Sequence, residues 1–136
     1  MPILRAGLGM VEPVLNLIPD SEVWHVGLYR DEATARPIEY YSRIPKVKPM
    51  DVALILDPML ATGGSAGATL EALKDRDIPT IKILCIIASR AGIEYVNSNF
   101  PETQIYVCAI DPELNEQKFI VPGLGDAGDR IFNTPM

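Results

Sequence analysis

The feature that most constrains the fold is the run Lys82-Ile83-Leu84-Cys85-Ile86-Ile87-Ala88, apolar at nearly every position instead of every second one. A strand exposed on one face alternates apolar and polar residues, whereas a strand covered on both faces reads as a continuous apolar run. Residues 81–88 are therefore expected as an interior strand. Runs at 23–29, 52–56 and 105–110 are also apolar, β-branched and bounded by turn residues, and read as further strands. Helical spacing appears between them. Ala66, Leu70 and Leu73 share one face of 66–74, and Ile93, Val96 and Phe100 form a seam that Pro101 ends. Residues 10–18 are a third candidate, stopped by Pro19, with Pro13 admissible only in its first turn. Alternating strands and helices predict an α/β fold, a mostly parallel sheet with helices on both faces.

Two segments break the rhythm. Residues 31–50 hold Pro37, Pro45 and Pro49, and their centre, 38–44, reads as an extended arm. Tyr40 and Tyr41 then point to opposite faces, one free to pack inward. Residues 122–129 are too rich in glycine for a regular element. There is no internal repeat and no linker, so 1–136 is expected as a single domain. The sequence is 48% apolar and 22% charged, ordinary for a globular chain. No apolar run reaches the roughly 18 residues of a bilayer span, and the N-terminus lacks the pattern of a secretory leader. A cytoplasmic protein without membrane partners is expected. Cys85 and Cys108 fit no zinc spacing and read as buried free thiols. The net charge of -6, with scattered Lys and Arg, argues against a nucleic-acid surface.

The run Val52-Ala53-Leu54-Ile55-Leu56 delivers the chain to Asp57, and Thr62-Gly63-Gly64-Ser65 then precedes a helix. A strand, a tight loop and a helix start can converge backbone N–H groups on an anion. The glycines allow close approach, and the hydroxyls of Thr62 and Ser65 add donors. The same four residues also suit a helix whose N-cap is Ser65, with no ligand at all. Asp57 tips the reading towards a sugar phosphate. Ligands of open α/β sheets bind beyond the carboxyl ends of strands, where a carboxylate can accept sugar hydroxyls. There is no Gly-Lys-Ser/Thr of the Walker type, and no Gly-x-Gly-x-x-Gly follows a first strand.

The segment Asp57-Pro58-Met59-Leu60-Ala61-Thr62-Gly63-Gly64-Ser65 resembles the phosphoribosyl diphosphate loop of the uracil phosphoribosyltransferases, within the type I phosphoribosyltransferase fold. Many members of the wider fold carry a second acid after the first; Pro58 stands there, as in the uracil-specific form. Residues 2–10, 27–32 and 120–130 match the same family in the same order. The resemblance implies transfer of a phosphoribosyl group to uracil, with release of pyrophosphate. It implies diphosphate binding by Arg5, Ala6 and Gly7 and by Arg30, and ribose 5-phosphate binding by the loop 57–65. Uracil would be held by Ile120, Gly125, Asp126 and Ala127. Arg30, Asp57 and Asp126 are expected as the catalytic set, with Mg2+ reached from Asp126 through water. The resemblance further implies a protruding β-arm at 31–50 that closes over the diphosphate or meets a neighbouring subunit, and a homodimer or larger assembly. It also implies a further N-terminal region ahead of Arg5 that this sequence does not contain, so the strand leading to Arg5 is expected to be short.

Each of these residues has a plainer reading. Arg5 could be a solvated arginine at a strand-to-helix turn, Arg30 a strand-end surface charge, and 122–129 a surface turn. His25, the only histidine, is expected mid-strand as a structural or surface residue rather than a catalytic one. Asp51, Asp111 and Glu113 read as solvated loop charges. The competing function is a catalytically impaired nucleotide-binding or regulatory relative. A transferase for another base is disfavoured by Pro58 and by the tail 123–128.

Overall fold

A computed structural model of the chain describes residues 1–31, 37–44 and 50–135, with Arg30 described by its backbone alone. In chain order the elements are β1 (Ile3–Leu4), a 3-10 turn (Ala6–Met10), α1 (Val11–Leu17), β2 (Val26–Arg30), β3 (Pro37–Ser42), β4 (Val52–Leu56), β5 (Met59–Leu60) and α2 (Gly64–Leu73). They continue with β6 (Thr80–Ser89), α3 (Arg90–Asn99), β7 (Gln104–Asp111), β8 (Glu113–Leu114), β9 (Ile120–Val121) and α4 (Ala127–Phe132).

The continuous apolar run becomes the interior strand expected of it. β6 pairs in parallel with β4 on one side and β7 on the other. Beyond the end of β4, β5 continues along β6 in the same offset, with Leu56 opposite Leu84 and Met59 opposite Ile87. Pro58 occupies the break between β4 and β5. It has no N–H to leave unpaired, and its carbonyl accepts from the amides of Ile86 and Ile87, each at 3.0 Å. β1 pairs in parallel with β2, and Pro2 bridges in parallel to Leu56, which ties β1 to β4. β3 runs antiparallel beside β2, and β8 with β9 forms a separate antiparallel pair.

The fold class is thus the expected α/β one, a mostly parallel sheet with helices packed on it. The core joins Ile55 and Ile83, both fully buried, to Leu70 and Leu73 of α2 and Val96 of α3. Each such aliphatic side chain is worth about 1.5–3 kcal/mol relative to exposure. Coverage by the described helices is uneven, however. Lys82, Leu84 and Ile86 share the reverse face of β6 with Tyr106 of β7, and there Ile86 and Tyr106 are about half-exposed.

Several expectations are corrected. The strand expected at 23–29 starts at Val26, so His25 precedes it and is half-buried. The glycine-rich tail is not wholly irregular, because α4 starts at Ala127 with the Asp126 side chain accepting from the Asp129 amide. That cap satisfies an end amide that composition alone leaves unpaired. Cys85 is buried but Cys108 is exposed, and both are free. Asp111 is not simply a solvated charge, since it accepts from the Gly123 amide at 2.9 Å and anchors the tail to β7. Of the arm at 31–50, β3 is an edge strand paired with β2 from Pro37 to Ser42, while 32–36 and 45–49 lie outside the described residues.

Candidate functional site

The loop after β4 is shaped by its own side chains. The Asp57 carboxylate accepts from the Met59 amide at 3.2 Å, and the Thr62 hydroxyl accepts from the Gly64 amide at 3.3 Å. Gly63 holds φ at +83°, a left-handed conformation that costs glycine little and other residues more. α2 begins at Gly64, with Gly63 in the cap position. Ser65 therefore lies inside the first turn and is not the N-cap that one reading of the sequence proposed. Ser65 borders the cleft described next.

Three chain segments far apart in sequence meet around a cleft of about 430 Å3. Arg5 and Ala6 come from the turn after β1, and Asp57, Met59, Ala61 and Ser65 from the loop after β4. Ile120, Gly125, Asp126 and Ala127 come from the tail. The remaining expected residues are not on its wall. Leu60 and Pro58 are buried, Leu60 as part of the core. Thr62, Gly63 and Gly64 form the loop's crest leading into α2. Gly7 is buried, and a side chain there would collide with the Leu56 carbonyl and Pro2. Its small size serves the turn's packing against β4. Arg30 ends β2 opposite Pro37, and its side chain lies outside the described atoms.

The structure also brings in residues that sequence reasoning missed. Tyr29 and Tyr40 border the cleft, their ring centroids 6.3 Å apart, and Tyr40 lies over Gly27. Lys118, at φ +66°, and Phe119 border it beside Ile120. Asp129 holds Arg5 through a 2.6 Å ion pair, and Thr134 donates to the same carboxylate oxygen at 2.6 Å. The Arg5 guanidinium also reaches the Thr134 hydroxyl at 3.4 Å. A signal for Asp129 existed: Asp126-x-x-Asp129 has the spacing of a capped helix start. For Tyr40 the signal was partial: alternation sends one of Tyr40 and Tyr41 inward, and only cross-strand register decides which.

Charge at the site is uneven. Burial pushes the Asp57 carboxyl up from 3.8 to about 6, against the opposing pull of the Met59 amide. The Thr134 hydroxyl and the Arg5 guanidinium hold Asp129 below the usual carboxylate range. No cluster of three or more His, Cys, Asp or Glu able to hold a metal occurs among the described residues. Asp126 Oδ1 accepts from the Asp129 amide at 2.8 Å, which leaves Oδ2 without a described partner beside the cleft. A lone hard oxygen donor fits a magnesium ion carried mainly by water and phosphate oxygens, and does not fit a caged metal.

Comparison with known proteins follows the same lines. The family model for uracil phosphoribosyltransferase matches residues 1–134. A uracil phosphoribosyltransferase from Alkaliphilus metalliredigens is 55% identical over 98% of this chain, and one from Roseiflexus sp. is 53% identical over the same share. The chain spans 64% of the length of each. The solved structure of the AQ2163 protein from Aquifex aeolicus superposes with a TM-score of 0.90 at 41% identity, covering 96% of this chain and 62% of that one. A purine phosphoribosyltransferase from Pyrococcus horikoshii, at 17% identity and TM-score 0.59, shares the fold over 85% of this chain and 78% of its own.

Proposed function

The chain belongs to the uracil phosphoribosyltransferase family, and from that premise we propose that it converts uracil and phosphoribosyl diphosphate to uridine monophosphate and pyrophosphate in pyrimidine salvage. The observation that carries this reading is the meeting of Arg5, Asp57 and Asp126 around one cleft from three distant segments. Each supplies what one part of the reaction needs.

In the reaction the C1–O bond of the donor breaks, its electron pair leaves with pyrophosphate, and N1 of uracil bonds to C1 after losing its proton. Positive charge gathers on the ribose as the bond breaks, so catalysis is mainly positioning and electrostatics. Arg5 would meet the diphosphate with a forked pair of donors, for which lysine is no substitute; Arg30 is assigned the same partner. Asp57, ionised once ligand is bound, would accept the ribose hydroxyls. Amides at 62–65 and the N-terminus of α2 would take the 5-phosphate. Mg2+ would neutralise diphosphate charge, with Asp126 touching its water shell. Ile120 would pack on the base, and main-chain groups of Gly125, Asp126 and Ala127 would read O2, N3–H and O4. Cytosine would set a donor against a donor there, a mismatch that costs on the order of several kcal/mol. A cytoplasmic setting and a homodimer or larger assembly complete the reading.

The deciding experiment mixes the purified chain with uracil, phosphoribosyl diphosphate and Mg2+ and follows products by chromatography. Uridine monophosphate should appear with uracil and not with cytosine. Tight binding of phosphoribosyl diphosphate without product would favour a nucleotide-binding relative instead.

A further inference from the structure

Behind the phosphate loop, on the side away from the cleft, the start of α3 makes a second set of contacts. Ser89 is the last residue of β6 and is 1% exposed. Its hydroxyl donates to the Ala61 carbonyl at 2.5 Å and accepts from the Gly92 amide at 2.9 Å. One side chain thereby caps α3 and grips the loop at once. Gly92 allows the two to approach, since a side chain there would strike the carbonyls of Leu60 and Ala61. Three residues further along α3, the Tyr95 ring covers Gly63 and Gly67, so a side chain on either would strike it. The loop therefore rests on Ser89, Gly92 and Tyr95.

We propose that Ser89 is a positioning residue, whose bond to the Ala61 carbonyl holds the loop 61–65 in the shape that receives the phosphate end of the donor; this rests on the transferase reading. The peptide from Ala61 to Thr62 is planar and trans, so a carbonyl turned to Ser89 turns the Thr62 N–H away from α3. Without that hold, Gly63 and Gly64 give the loop many conformations, and ligand binding must then bear the cost of ordering them. Ala61 is on the cleft wall and Ser89 is not, so Ser89 acts through the loop and touches no substrate.

The test compares Ser89→Ala with Val96→Ala, a truncation of a fully buried α3 residue of the core. Binding of phosphoribosyl diphosphate with Mg2+ is followed by calorimetry, KM for uracil by turnover, and amide exchange at 61–65 without ligand. Ser89→Ala should raise the Kd for phosphoribosyl diphosphate about tenfold, leave KM for uracil within about twofold, and quicken exchange at 61–65. Val96→Ala should lower the melting temperature and leave Kd unchanged. Equal effects of the two variants on Kd, or unchanged loop exchange in Ser89→Ala, would overturn the proposal. If Ser89→Ala does not fold, Ser89→Cys keeps the volume with a weaker donor and carries the same comparison. A wild-type chain that binds no phosphoribosyl diphosphate would sink the transferase reading; the hold of Ser89 on the loop would then stand or fall on the exchange data.

Discussion

Asp57 is a carboxyl that burial works against in the empty protein and that the proposed function gives a ligand to meet. Its folded pKa of about 6 lies above the ordinary 3.8, so the fold favours the neutral acid. Asp57 then stabilises the unliganded chain below about pH 4, and that contribution is lost as pH rises through 6. The difference amounts to on the order of 3 kcal/mol. Asp57→Asn should accordingly raise the melting temperature at pH 8, change it little at pH 4, and weaken binding of phosphoribosyl diphosphate. Calorimetric melts at the two pH values check the first part, and titration with ligand the second. In the wild type, affinity for the donor should climb as pH rises through 6. Asp126 caps α4 and is proposed to act in the reaction as well. Asparagine caps a helix about as well as aspartate, so Asp126→Asn should melt within a few degrees of wild type yet lose turnover sharply. Unchanged activity would remove Asp126 from the reaction.

At the scale of elements, α4 links the tail to the first loop through Arg5, Asp129 and Thr134. Asp129 lies below the usual carboxylate range, so the ion pair is kept at neutral pH and is lost as pH falls through the Asp129 titration. Asp129→Asn should remove the ion pair to Arg5 and alter KM for phosphoribosyl diphosphate severalfold, with a smaller change for uracil. Steady-state kinetics with each substrate varied in turn would show it, and an equal shift in both would sink it. How far these elements could be read in sequence depended on their periodicity. The strands at 52–56 and 81–88 were legible because apolar, β-branched runs have few alternatives. α4 was missed because Gly125 and Gly128 hide a short helix whose start depends on Asp126 as its cap. The alternative that made Ser65 an N-cap was off by two residues, since Gly63, at φ +83°, takes the cap position.

For the whole molecule, the cleft exists only where the loops after β1 and β4 and the tail meet beside Tyr29 and Tyr40 of the β2–β3 pair, so its stability is tied to that of the sheet. Ile83→Ala, at a fully buried position in β6, should cost about 2–5 kcal/mol and weaken ligand binding only as far as it unfolds the chain. Conversely, phosphoribosyl diphosphate at about 100 times its Kd should stabilise the fold by about 2.7 kcal/mol. A thermal melt with and without it checks whether the cleft binds as a preformed unit.

Sequence alone determined the alternation of strand and helix, the interior place of β6, and the chemistry available in 57–65 and 120–130, because these depend on local pattern and side-chain type. It could not determine that Asp129 would clasp Arg5, that Tyr40 would reach the cleft, or that Ser89 would hold the Ala61 carbonyl. Those contacts join residues 28 to 124 positions apart in two of the three cases, and in the third depend on β2–β3 register. Only tertiary packing decides such pairings, since the polar groups involved have several possible partners until the sheet brings them within hydrogen-bond reach.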